Sequence, residues 1–237
     1  MTTVEICVED IAGVRAARDR GADRVEVCHD LSCGGLTPPE DFVSGSLPCA
    51  PPEGIQVLIR PRPGDFTFSG DEVGAMCSRI GALRDLVAPS GVDVGYVIGA
   101  LREDHRVDEP ALVRLMEAAG PARVTFHRAF DLVPDQHEAL EILIDHGVRR
   151  VLTTGGAATR ADPAGLHSLV EHSRGRILVL ASGGLRSDSV VEVIRRSGAP
   201  EVHMRAPSST GSGTDPDEVG RIVEAVRGHD HQQDPRN

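Results

Sequence analysis

Residues 20–28 read RGADRVEVC: a glycine where a helix would stop, a short polar spacer, then a run of alternating apolar residues. The same pattern returns at residues 90–99 (SGVDVGYVIG), 119–127 (AGPARVTFH), 146–154 (HGVRRVLTT), 174–182 (RGRILVLAS) and 197–204 (SGAPEVHM). In each copy the glycine stands at the position after a helix, where a left-handed backbone is reached without a Cβ penalty. The opening TVEICV and the later IQVLIR bring the strands to eight. The intervals between them are predicted to be helices. Asp162-Pro163 and Asp215-Pro216 supply N-cap acceptors followed by proline, and Asp108 and Ser187 are candidate caps for two more. Eight strand–helix units in this length predict an α/β fold, a single (β/α)8 TIM-type barrel over residues 1–228. Residues 229–237, GHDHQQDPRN from Gly228 onward, lack apolar content and are expected to form a disordered tail. A doubly wound open sheet fits less well, because VEDIAG after the first strand is not the glycine-rich turn that fold uses.

Composition agrees with the repeat. The chain is 40% hydrophobic but only 3% aromatic and has no Trp, so its core must be built from Val, Leu, Ile and Ala, as parallel strands buried on both faces require. All 25 basic residues are Arg against 36 acidic ones, and the formal charge of −11 argues against a nucleic-acid partner. No apolar run approaches the ~18 residues of a membrane span. MTTVEICVED reads as a strand rather than a signal peptide, and five scattered cysteines suit a reducing compartment, so a cytoplasmic location is expected.

Strand side chains alternate between the helices and the barrel axis. Val4, Ile6 and Val8 form an outward apolar set, which sends Glu5 and Cys7 inward. By the same rule Glu26 and Cys28, Arg60, Thr125 and His127, and Glu201 and His203 face the axis. Branched hydrocarbon normally fills such an interior. A buried charge without a partner costs several kcal/mol, so these groups must form either a satisfied ion network or a site at the strand ends.

Cys7 and Cys28 fall at corresponding positions on neighbouring strands, about 4.8 Å apart. Two thiolates at that spacing suit a soft ion of low coordination such as Cu(I), although two buried small residues would follow the same pattern. Cys33, just beyond the second strand, is a possible third sulfur. A second cluster suits an anion: Arg60 and Arg62 at the exit of the third strand, Thr154-Gly155 and Gly183-Gly184 in turns after the sixth and seventh, and His203. For catalysis on such an anion, His127 is the candidate general acid–base, oriented by Glu26 or Asp131, with Glu5 as an alternative base. The chain has no Lys, which excludes Schiff-base chemistry.

The segments E5-I-C7, G21-A-D-R-V-E-V-C28, G34-G-L-T-P38, I59-R-P-R62, G64-D-F66, V124-T-F-H-R-A-F-D131, R150-V-L-T-T-G155 and E201-V-H203 occur in this order, and from residue 3 to 205 the chain resembles the CutC family of copper homeostasis proteins. The resemblance implies a cytoplasmic (β/α)8 barrel, often homo-oligomeric, associated with copper, with Cys7 and Cys28 matching the family's proposed copper-binding cysteines. Two departures stand out: Cys33 replaces a commonly acidic residue before G-G-L-T-P, and the segment after the eighth strand is shortened to APSSTGSGTDP. Two functions follow as expectations. One is Cu(I) binding for buffering or delivery; the other is an enzyme acting on a small phosphorylated or carboxylated metabolite.

Overall fold

The computed structural model describes residues 1–208 and 213–233. Its elements alternate without exception: β1 (Thr3–Val8), α1 (Ile11–Asp19), β2 (Arg24–Val27), α2 (Glu40–Ser46), β3 (Ile55–Leu58), α3 (Gly70–Val87), β4 (Val94–Ile98), α4 (Glu109–Ala119), β5 (Val124–Phe126), α5 (Gln136–Asp145), β6 (Arg150–Thr153), α6 (Pro163–Ser173), β7 (Leu178–Ala181), α7 (Val190–Ser197), β8 (Glu201–Met204) and α8 (Pro216–Gln233). All strand pairs are parallel, and β8 returns to pair with β1, closing the barrel. Closure leaves no sheet edge and fixes the register: Cys7 lies opposite Glu26, and Glu5 opposite both Arg24 and His203.

Local chemistry explains the boundaries. Asp10, Asp108 and Asp162 accept from the amides of Gly13, Ala111 and Ala164 at the starts of α1, α4 and α6. Ser69 and Glu72 form a reciprocal capping box at α3. Gly198 ends α7 at φ 70°, as its place in the repeat predicts. Ser187 is not the cap of α7: that helix begins at Val190, and the Ser187 amide and hydroxyl both donate to Glu218 of α8. The chain end differs from expectation too. Helix α8 continues to Gln233, and Asp230 accepts from the Thr2 amide and hydroxyl, tying the last turn to the first strand. The rest of the expected tail, residues 234–237, lies outside the described residues.

Alternation sorts the core into two bodies. The outward set (Val4, Ile6, Val8, Val25, Val27, Val57, Ile59, Val124, Phe126 and Val202 among others) packs under the helices in one continuous cluster. Inside the barrel, Cys7, Cys28, Leu58 and Val97 make a smaller apolar plug. The remainder of the interior is polar. Glu5, Arg24, Glu26, Gln56, Thr125, His127, Arg150 and Glu201 are all buried.

Candidate functional site

At the N-terminal side of the interior, charges are paired. Arg24, fully buried, donates through Nε to Glu5 and through Nη2 to Glu201 at 2.6 Å, while Arg150 Nε reaches the same Glu201 oxygen at 2.8 Å. Above this floor, His203 Nδ1 lies 2.7 Å from Glu5 and 3.7 Å from Glu26. Burial opposes ionisation of Glu5, but Arg24 and His203 outweigh it and bring its pKa down to about 2. Burial also works against a charged His203, yet its bonds to Cys7 and Glu5 and the nearby Glu26 carboxyl raise it well above the ordinary imidazole range. Glu26, which has His203 nearby but no guanidinium in hydrogen-bond contact, is raised by burial to about 7.

The C-terminal strand ends open into a cavity of about 300 Å³. Cys7, Glu26, Leu58 and His203 line it from the strands, joined by Arg60, Phe66, His127, Arg128, Ser182, Gly183, Gly184, Arg186 and Arg205. Cys7 and Cys28 approach to 3.5 Å between sulfurs, and with Glu26 they offer three ligand atoms within 4.8 Å of one another. The Cys7 thiol is pushed well above its usual pKa by its bond to Cys28 and by burial.

His127 sits against Phe66, ring centroids 4.8 Å apart, with the Arg60 guanidinium 4.8 Å from the centre of the same ring. A side chain at Gly99 would collide with the imidazole, its Cβ falling 2.3 Å from the ring, so glycine at the exit of β4 makes the space His127 fills. Burial and the Arg60 charge lower the His127 pKa to about 3. Its Nδ1 accepts from the Ala129 amide at 3.2 Å, which leaves the proton on Nε2, and Nε2 has no partner among the described residues. His127 is therefore a neutral donor facing the cavity.

Several expected roles are redistributed by this geometry. Glu26 and Asp131 do not orient His127: Glu26 faces His203, and Asp131 accepts from Arg128, the Thr153 hydroxyl and the Thr154 amide. Because Asp131 occupies the Thr154 amide, and the Gly155 amide donates to Thr153 Oγ1, that turn offers no anion cradle. Arg62 points away from the cavity, held by Glu72, Asp65 and the Thr67 carbonyl. Glu5 lies beneath the cavity wall, too acidic and too enclosed to serve as a base. Cys33 bonds to the Asp30 carbonyl and joins no ligand cluster. Arg60, Gly183, Gly184 and His203 do line the cavity. Arg128, Arg186 and Arg205 were not anticipated. Arg205 was within reach of the sequence, since the alternation that turns Glu201 and His203 inward continues to it.

Fold and geometry together define a closed (β/α)8 barrel with a polar cavity at the C-terminal strand ends. The CutC family model matches residues 2–208, and the chain belongs to that family. The CutC family protein of Mesorhizobium japonicum is 44% identical over 205 residues, covering 86% of this chain and 77% of that one. That of Rhizobium meliloti is 39% identical over 223 residues, covering 94% and 86%. Among solved structures, the CutC of Streptococcus agalactiae, by name a candidate copper homeostasis protein, superposes with a TM-score of 0.78 at 25% identity, over 86% of this chain and 98% of that one. Phosphoribosylanthranilate isomerase from Pyrococcus furiosus, at 15% identity and a TM-score of 0.61 over 96% and 100%, shares the fold alone. Among the described residues no helix is long and apolar enough to cross a membrane.

Proposed function

We propose that this chain is a copper homeostasis protein that holds Cu(I) between Cys7 and Cys28 at the inner end of the barrel mouth, in the cytoplasm. The approach of the two sulfurs to 3.5 Å on adjacent strands carries the reading, and the family's association with copper supports it. The donor set fits: two soft thiolates can bracket a monovalent ion that has little need of further ligands. The ion takes the place of the thiol protons. Two thiolates and a carboxylate buried around one positive charge would leave an excess of negative charge, and the adjoining His203 imidazolium offsets part of it. All five cysteines are free, as copper delivery in a reducing compartment requires. Anaerobic titration against a chromophoric Cu(I) chelator is expected to show stoichiometric uptake by the wild type, lost in Cys7→Ser and in Cys28→Ser and kept in Cys33→Ser. Weak uptake that all three variants share would end the copper reading, as would a preference for Zn(II) over Cu(I).

A second reading, an enzyme acting on a small anionic metabolite, is favoured by a different observation. Four arginines line the mouth of a chain whose formal charge is −11, and buried donors of Arg60, His127 and Ser182 lack partners among the described residues.

A further inference from the structure

Seven buried side-chain atoms lack a hydrogen-bond partner among the described residues, and four of them belong to residues lining the one cavity: Glu26 Oε2, Arg60 Nε, His127 Nε2 and Ser182 Oγ. A buried polar atom left unsatisfied costs roughly 1–3 kcal/mol, and such a cost is tolerated where a ligand supplies the missing bond. Three of the four are donors or can donate.

The loops after β7 and β8 add charge to this arrangement. Arg186 donates through Nη1 to the backbone carbonyl of Arg205 at 3.0 Å, which ties the loop after β7 to the end of β8, and both arginines line the cavity. Neither has a carboxylate within ion-pair distance among the described residues; the other bond the Arg186 side chain makes is to the Leu185 carbonyl. Of the other two arginines lining the cavity, Arg128 is paired with Asp131 and Arg60 donates to the backbone carbonyls of Cys33, Gly35 and Gly64. The loop after β7 itself contains Gly183 and Gly184, at φ 111° and 68°, whose amides donate to no described residue. Gly183 is required there by close packing as well, because a Cβ would fall 2.4 Å from the Ala161 nitrogen.

We propose that the loop after β7, together with Arg205 directly after β8, seats the phosphate of a small phosphate monoester, bound by Arg186, Arg205, the Ser182 hydroxyl and the Gly183–Gly184 amides. The proposal rests on the second reading above and names its ligand class. Two guanidinium groups on one cavity, neither with an ion-pair partner among the described residues, match a dianion, whereas a single carboxylate would neutralise only one of them. The position is the one where barrels of this fold frequently bind phosphate. The cavity volume of about 300 Å³ suits a small metabolite, and the remaining orphans orient it. With phosphate at the rim, the body of the ligand extends inward, an oxygen accepting from His127 Nε2 and a hydroxyl facing Glu26.

The test uses metal-free protein and three probes, inorganic phosphate, glycerol 3-phosphate and succinate, titrated calorimetrically. Saturable binding of both phosphates is expected, weakened about tenfold or more in Arg186→Ala and in Arg205→Ala, the loss of a charge-assisted bond each. Arg62→Ala, outside the cavity, should bind as the wild type does. Arg205→Ala keeps the carbonyl that Arg186 clasps, so an unchanged melting temperature without ligand separates lost binding from lost folding. Phosphate binding left intact in both cavity variants overturns the proposal. Succinate bound in preference to either phosphate overturns it while leaving the anionic-metabolite reading standing, and no binding of any probe removes both.

Discussion

The two ends of the barrel interior use the same residue types in opposite ways. At the floor, Arg24 and Arg150 meet the buried carboxylates of Glu5 and Glu201, and Arg24 also reaches the partly exposed Glu53. At the mouth, Arg186 and Arg205 line the cavity without an ion-pair partner among the described residues, and buried atoms of Arg60, His127 and Ser182 on the same cavity lack hydrogen-bond partners there. A charge that finds its counter-charge within the chain is explained by the fold. One that lines a cavity without a counter-charge is a candidate for binding a ligand, as proposed above. Location alone would not separate them, because both sets face the same axis.

The sharpest way to break this contrast is at the floor. Arg24→Met leaves Glu5 and Glu201 buried without their main partner and is expected to cost about 3–5 kcal/mol, read as a shift of the denaturation midpoint at unchanged slope. Adding Glu5→Gln and Glu201→Gln should recover part of that loss, since neutral amides no longer need the guanidinium. A loss below 1 kcal/mol for Arg24→Met would mean that the floor is not the structural half of the pair.

A smaller effect comes from His127, at the rim of the mouth. Its pKa is about 3 in the fold against 6.5 for the free side chain, so protons bind the unfolded chain more readily. The stability this confers is complete above pH 6.5 and is lost progressively as pH falls toward 3. Between pH 7 and pH 5 the loss amounts to about 2 kcal/mol. His127→Gln should flatten the stability–pH curve by that amount over that interval. Parallel curves for the two proteins would show that the imidazole is not held neutral.

Much of this was legible in the sequence because two of the signals are local. The glycine after each helix and the two-residue period of each strand depend on neighbours along the chain. They gave the closed barrel and the inward positions of Glu5, Cys7, Glu26, Cys28, Arg60, His127 and His203. Alternation also pointed to Arg24, two residues before Glu26, but reading β2 from Val25 onward hid it. Which partner a side chain takes is not local, and the errors cluster there. Arg62 was captured by Glu72, a capping residue of α3. The Thr154 amide was filled by Asp131, 23 residues earlier. His127 found its hydrogen bond two residues along its own chain. Each residue type was suited to the role expected of it, and each was claimed first by a neighbour that only the folded chain brings near.

The smallest effect is the most telling about the mouth. Arg205 is half-buried, and no carboxylate lies beside it among the described residues. Removing its guanidinium breaks no ion pair among the described residues and takes one positive charge from the cavity that Arg186 also lines. Arg205→Ala should therefore change stability by no more than about 0.5 kcal/mol in phosphate-free buffer, in the range of an ordinary surface substitution, and a slight gain is the favoured sign. The same measurement in saturating phosphate should stabilise the wild type more than the variant, because ligand bound only to the native state adds to its stability. A penalty for Arg205→Ala approaching that of Arg24→Met, present with or without phosphate, would place both ends of the barrel in the same structural network and erase the difference between them.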